Sequence, residues 1–517
     1  MPQHKQPSSL YWLCVPDVCR MIREACDKIY ETSGIQRAGE LDLFDNRIDT
    51  TNAIQQVQQH FINPLPYGLR ETICNKRHHK DYTDDYNNKS VFKLLLFLTT
   101  VMHKDLTRFE IHSLSLSSSQ LSSIKESFWQ AQLRDMSKLR LLHLSNVLTD
   151  GILKVIGESC PLLEEIWVIS KSRNLSAEFN FNALKMGYHV TDAGLMHLTN
   201  CQKLKRIWIG AGRMQSKQIT PRGIIKLMQS IPNLKSMNYP YMESVLQTLS
   251  ADGCTKKYKI VALKIDRCNL SHVQFVVEHF PNLVQLHMDL GLAKDLPTES
   301  HHKETEAILK AIASSSLKLS HLSLGNFQTT PETLLSFLSV KGYHLTELVL
   351  GETVCELDAR ALISIGKACP YLRHLAAKNV ETGQSCDRIP SGIYSHLKHL
   401  TLVSKNSYDV STILSILLHG ENLDVMKIDV FHSLSNINIF FLNFFKDNQL
   451  PKLRRIIFAG STLISQATVE NFYNNCPNLT GIMCEEGVIQ LTKPSFLTDL
   501  KEEILSKNYN FELLMFA

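Results

Sequence analysis

A short pattern, Leu-x-x-Leu-x-Leu, returns along the chain at intervals near 26 residues, and nothing else in the sequence restricts the fold as tightly. Clean copies are Leu139/Leu142/Leu144, Leu163/Ile166/Val168, Leu204/Ile207/Ile209, Leu319/Leu322/Leu324 and Leu345/Leu348/Leu350. The series continues through Leu372, Leu397, Leu423, Leu453 and Leu479, and weaker copies begin at Leu106, Leu234, Ile260 and Leu283. Residues two apart in an extended segment face the same side, so each copy predicts a short strand with its apolar side chains turned inward. One such unit cannot bury its own apolar face. Stacked neighbours can, and they leave a broad strand surface facing the other way.

Between the strand motifs lies a second rhythm. In LTDGILKVIGESCPLLEEI the residues Ile152, Leu153, Val155 and Ile156 mark one helical face, and Cys160-Pro161 closes the element. VTDAGLMHLTNCQKLKRI and ITPRGIIKLMQSIPNLKSM repeat it. Thr followed by Asp or Pro reads as a helix cap and first turn. The combination resembles the cysteine-containing leucine-rich repeat, a type found widely in substrate receptors of ubiquitin ligases. It implies an α/β horseshoe solenoid of roughly fourteen repeats over 86–490, with a helical region at 1–85 and a carboxy-terminal cap at 491–517. Its concave face would hold a protein substrate, with Trp167 and Trp208 as anchors because aromatic residues dominate interface energetics. Two enlarged intervals, at 171–189 and 291–306, are expected to leave the array as loops.

Composition narrows the functional classes. A net charge of +5 on 517 residues is too small to argue for nucleic acid. The basic run Lys76-Arg77-His78-His79-Lys80 is short, is followed by Asp81, Asp84 and Asp85, and reads as a solvated loop. Thirteen cysteines are scattered, and Cys160, Cys369 and Cys476 occupy the same place in their repeats, as small buried apolar residues would. No CxxC or spaced histidine pair accompanies them, so neither a metal nor another cofactor is expected. Free thiols in this number suit a cytoplasmic or nuclear location. No apolar run reaches the ~18 residues of a membrane span, and the first residues do not read as a secretory leader. No nucleophile elbow, phosphate loop or zinc helix appears, so no catalytic residue is assigned and the chain is not expected to be an enzyme.

The residues ahead of the repeats suggest a purpose for the array. Ser9-Leu10-x-x-x-Cys14-x-x-x-Val18 places Leu10, Cys14 and Val18 on one helical stripe. This resembles the BC box by which cullin-2 and cullin-5 receptors dock onto elongin C. Downstream, Leu65-Pro66-Tyr67-Gly68-Leu69-Arg70-Glu71-Thr72-Ile73 resembles a cullin-2 box. The cullin-5 form would carry a second proline where Gly68 stands. Receptors of the Zyg/Zer and PRAME types join such boxes to leucine-rich repeats. The resemblance implies that Leu10, Cys14 and Val18 fill the elongin C groove, with elongin B alongside, and that Leu65, Pro66, Leu69 and Ile73 face cullin-2. Pro16 would bend the first helix or mark its start. Two other readings stay open: a repeat scaffold with no elongin, and an F-box-type receptor opening at LPYGLRETI.

Overall fold

The computed structural model describes residues 10–32, 54–75, 90–110, 126–144, 147–169, 190–210, 218–290, 298–351, 355, 357–378, 380, 392–404, 411–418, 422–430, 436–459, 464–485, 489–490, 499–500, 502 and 512–516. The chain packs as two compact units, Ser8–Cys254 and Thr255–Ala517.

The first unit begins with helices. Leu10–Thr32, Tyr67–Asn75 and Ser90–Val101 pack on one another. In Leu10–Thr32 the buried residues Cys19, Ile22 and Cys26 recur at helical spacing and form its inner stripe. The helix runs through Pro16 instead of starting there. Five strands follow: β1 (Arg108–Glu110), β2 (Leu141–His143), β3 (Glu165–Ile169), β4 (Arg206–Gly210) and β5 (Ser236–Asn238), in that order and parallel. Their register aligns Phe109, Leu142, Ile166, Ile207 and Met237, each at most 1% exposed, in one core row. Burying such a side chain is worth about 1.5–3 kcal/mol, so the row is a main source of the unit's stability. Thr107 Oγ1 donates to Glu71 Oε1 at 2.6 Å, fastening helix Tyr67–Asn75 to the first repeat.

Helices Asp150–Ser159, Asp192–His197 and Pro221–Ser230 complete successive repeats, capped by Thr149, Thr191 and Thr220. The caps are wired to one another. Asp150 accepts from Thr191 N at 2.8 Å and Thr191 Oγ1 at 2.6 Å. Asp192 accepts from Thr220 N and Oγ1 at 2.8 and 2.6 Å. The carboxylate that opens one helix thus holds the start of the next. A glycine makes room each time: a Cβ on Gly194 would meet Asp150 Oδ1 at 1.9 Å, and one on Gly223 would meet Asp192 Oδ1 at 2.0 Å.

The second unit continues the same construction with ten parallel strands. They are β6 (Ala262–Ile265), β7 (Gln285–Asp289), β8 (His321–Gly325), β9 (Glu347–Leu350), β10 (His374–Ala377), β11 (His399–Ser404), β12 (Val425–Val430), β13 (Arg455–Ala459), β15 (Gly481–Glu485) and β17 (Glu512–Phe516). A two-residue pair, β14 (Ile464–Ser465) and β16 (Ile489–Gln490), lies apart from this sheet. Register aligns Leu263, Leu286, Leu322, Leu348, Leu375, Leu400, Met426, Ile456, Ile482 and Leu513. Both units are therefore built from parallel leucine-rich repeats of the α/β type.

The sequence pattern located fourteen of the strands, and the last, β17, has no leucine-repeat spacing and adds itself beside β15. One expected loop is a helix: Thr298–Ser314 fills much of 291–306 and includes His301 and His302. The interval 171–189 lies outside the described residues, as do Ser9 and the run Lys76–Lys80.

Candidate interaction surfaces

Cysteines at the helix exits behave as core. Cys160, Cys201, Cys369 and Cys476 are at most 1% exposed, and burial pushes each thiol up to about 12. A thiol held this far from ionisation is a poor nucleophile and a poor metal ligand. Among the described residues no group of three His, Cys, Asp or Glu side chains is placed to hold a metal ion. No described helix is long and apolar enough to cross a membrane.

On the amino-terminal helix Val18 lies on a stripe separate from the buried one. Positions 14, 18, 21 and 25 follow helical spacing, and on this stripe Val18 and Ala25 are half-buried while Met21 is 44% exposed. Leu10 and Cys14 belong to the same helix, but their side chains lie outside the described residues. Met21 was not singled out by the box pattern. Its signal was the spacing three residues beyond Val18.

The second box is placed differently from its resemblance. Leu69 is 6% exposed and Ile73 1% exposed, so both face inward. They pack within the unit's own core. Pro66 is exposed and Leu65 half-buried, immediately before helix Tyr67–Asn75. The amphipathic spacing that makes the motif look like a partner face is equally the spacing of a helix burying one side at home.

The strand face of the first unit brings the two predicted tryptophans together. Trp167 and Trp208 are register partners on β3 and β4, and their rings stack at 4.7 Å with 21° between planes. His143, the next partner on β2, lies 4.7 Å from Trp167 at 32°. The ladder is braced on one side: Trp167 Nε1 donates to Glu165 Oε1 at 2.6 Å, and Arg206 Nε donates to Glu165 Oε2 at 2.6 Å. Trp208 Nε1 is buried with no hydrogen-bond partner among the described residues. Both indoles remain half-exposed. Stacked aromatics of this kind provide a rigid apolar platform that loses little entropy when covered.

In the second unit the strand face carries ionisable groups. His321 on β8, Glu347 on β9, His374 on β10 and His399 on β11 are successive register partners. Glu347 Oε1 is 3.4 Å from His374 Nδ1, and Oε2 is 3.6 Å from His321 Nε2. The hydrogen bond from His374, with the charges of His374, His321 and His287, holds the Glu347 carboxyl below the usual range. Burial lowers His287 on β7, against the opposing influence of Glu347. His321, His374 and His399 were missed, although each directly precedes the middle Leu of its motif.

No family model matches the chain and no curated protein matches it. Among solved structures it is similar to the chain in "Crystal structure of Rad7 and Elc1 complex in yeast", at 13% identity and a TM-score of 0.38, covering 94% of this chain and 95% of that one. It is also similar to the chain in "Crystal structure of TLR13-ssRNA13 complex", at 13% identity and a TM-score of 0.35, covering 74% of this chain and 57% of that one. The chain thus spans little more than half of the second. At these scores neither likeness bears on function, and the repeat architecture rests on the strand register itself.

Proposed function

We propose that the chain is the substrate-recognition subunit of a cullin-2/elongin BC ubiquitin ligase, docking elongin C with its amino-terminal helix and holding a protein substrate on its strand faces. The observation that carries this reading is the division of helix Leu10–Thr32 into two apolar stripes. One is consumed by Cys19, Ile22 and Cys26; the other includes exposed Met21 and half-buried Val18 in line with the BC-box positions. A helix with a second apolar stripe is the form in which helix-in-groove recognition presents itself. Elongin C would take Leu10, Cys14, Val18 and Met21. Cullin-2 would meet Leu65 and Pro66, the box residues that stand at or near the surface. The stacked Trp167 and Trp208 supply the substrate anchor. On this reading the chain makes no bond itself.

Co-purification from cells tests it. The unaltered chain is expected to bring elongin B, elongin C and cullin-2 with it. Leu10→Glu with Cys14→Glu places unpaired charge in an apolar groove and abolishes elongin C capture. Leu65→Ala with Pro66→Ala weakens cullin-2 and leaves elongin C bound. If the unaltered chain captures neither elongin C nor cullin-2, the reading fails and a repeat scaffold without ligase partners replaces it.

A further inference from the structure

The entrances to strands β8 to β11 lie side by side. Thr346 N donates to Ser320 O, Arg373 N to Thr346 O, and Lys398 N to Arg373 O, each at 2.8 Å. The turns that feed these strands therefore line one edge of the second unit. Segments 314–320, 339–346, 367–373 and 392–398 carry Lys318, Lys341, Lys367, Arg373 and Lys398, with no aspartate or glutamate. Lys318, Lys367, Arg373 and Lys398 are exposed, and none has a carboxylate partner among the described residues. Lys341 Nζ donates to Ser315 O at 2.6 Å and to Leu317 O at 3.1 Å, carbonyls that leave its charge uncompensated. At the equivalent entrance positions of β2 to β4, and of β12 and β13, opposite charges pair. Glu164 lies 3.4 Å from Arg140 and 2.6 Å from Lys205, and Asp424 holds Arg454.

Aromatic rings stand on the same edge. Tyr343, in the turn Gly342–His344, is 58% exposed, and Tyr371 is 46% exposed. Val340, in the last turn of helix Pro331–Lys341, is 61% exposed. The two tyrosine rings meet edge to face at 5.3 Å and 88°, with their hydroxyls 3.4 Å apart. His396 continues the row, 5.9 Å from Tyr371. Exposed apolar residues scattered singly are ordinary, whereas a gathered patch rimmed by polar groups marks an interaction site.

The fixed charges of this edge call for an anion. Carboxylates and phosphates would both answer them, and the rest of the patch separates the two. Successive bases of a single strand stack on aromatic faces. Rings at 88° to one another do not offer parallel faces, and aliphatic Val340 has nothing to stack on a base. Tyrosine and arginine are instead enriched at protein interfaces, inside a polar rim. Four neighbouring strands span about 14 Å, the length of about four extended residues, so a short peptide segment reaches every cation of the edge.

We propose that the edge formed by Val340, Tyr343, Tyr371, Arg373 and Lys398 is a docking site for an acidic segment of a partner protein that carries apolar residues among its carboxylates. The tyrosines and Val340 would cover the apolar side chains, and the lysines and Arg373 would meet the acids. The proposal goes beyond the ligase reading and does not rest on it.

The test uses the purified full chain and a fluorescent peptide of sequence Gly-Asp-Glu-Leu-Phe-Glu-Glu-Gly, followed by anisotropy near neutral pH. Binding is expected, and it should weaken at least about tenfold between low and high salt, because exposed charges are screened. Arg373→Glu with Lys398→Glu should abolish it. Tyr343→Ala with Tyr371→Ala should weaken it at least about tenfold, as loss of aromatic anchors does. Trp167→Ala with Trp208→Ala should leave it unchanged. All the altered positions on the edge are exposed, and an unchanged circular dichroism spectrum would show that the variants fold. No binding, binding that survives either edge variant, or equal binding of a peptide with Asn and Gln in place of its acids would overturn the proposal. So would equal binding of a peptide with Ser in place of Leu and Phe, or tighter binding of a single-stranded RNA of matched charge through the same residues. None of these outcomes touches elongin C capture, so the two readings can fail separately.

Discussion

Replacing Gly223 with alanine would test the wiring between repeats. Gly223 is buried in the first turn of helix Pro221–Ser230, where alanine should by itself gain about 1 kcal/mol in helix propensity. The structure reverses that sign. A Cβ here meets Asp192 Oδ1 at 2.0 Å and Cγ at 2.2 Å, so the carboxylate must leave. Its departure breaks the bonds from Thr220 N and Thr220 Oγ1. Hydrogen bonds to a charged group contribute about 1.5–3 kcal/mol each, so about 3–6 kcal/mol is lost against about 1 gained. The expected net destabilisation is about 2–5 kcal/mol, read as a lower urea midpoint for the Ser8–Cys254 unit. A double-mutant cycle isolates the cause. With Asp192→Ala already made, Gly223→Ala should be neutral or slightly stabilising, because the three atoms nearest its Cβ all belong to the Asp192 carboxyl group. A neutral single change, or strictly additive effects in the cycle, would refute the reasoning.

Other consequences follow from the same packing. Trp167→Ala with Trp208→Ala should reduce capture of any substrate held by the first unit at least about tenfold while the circular dichroism spectrum is kept, since central aromatic anchors commonly contribute 2 kcal/mol or more; unchanged capture of every partner would move the site elsewhere. Among the described cysteines the half-exposed Cys254 should react first with a thiol reagent near pH 8, with Cys160, Cys201, Cys369 and Cys476 silent until unfolding, because burial holds those four up to about 12. The same thiols predict alkaline instability. A folded pKa above the unfolded value of about 8.5 leaves stability intact below that pH and removes it as pH rises toward 12, on the order of 1–2 kcal/mol per thiol by pH 10. Urea midpoints should fall between pH 8 and 10, and less steeply in a Cys160→Ala, Cys201→Ala variant.

Strand positions were legible in the sequence because a leucine repeat states its own register. Once Leu322, Leu348, Leu375 and Leu400 are aligned as core, every residue beside them is assigned a face. That is why Trp167 and Trp208 could be assigned to the strand face without coordinates. The histidine row was equally available, in SHL, RHL and KHL, but reading it required comparing the same position across repeats instead of reading each repeat along its length. The amino-terminal helices were less legible. A motif such as Leu65 to Ile73 does not state whether its apolar side is buried at home or reserved for a partner, and here Leu69 and Ile73 took the first course. Helix Thr298–Ser314 escaped notice because its opening, TESHHKETE, is polar throughout and has no apolar period until Ile308. Pro16 misled for a related reason: its cost in a helix is local, and the stripe of Cys19, Ile22 and Cys26 packs beyond it.

The Asp–Thr ladder has a bearing on how a chain of this design can change over generations. Asp150 and Thr191 are 41 residues apart, while Asp192 and Thr220 are 28 apart, yet the two pairs make the same two bonds at 2.8 and 2.6 Å. The extra residues enter between the end of one strand and the start of the next cap, a place the ladder does not sense. The same two bonds thus recur across intervals of unequal length. An array joined in this way tolerates a change of length between strand and cap without a change in how its helices are tied.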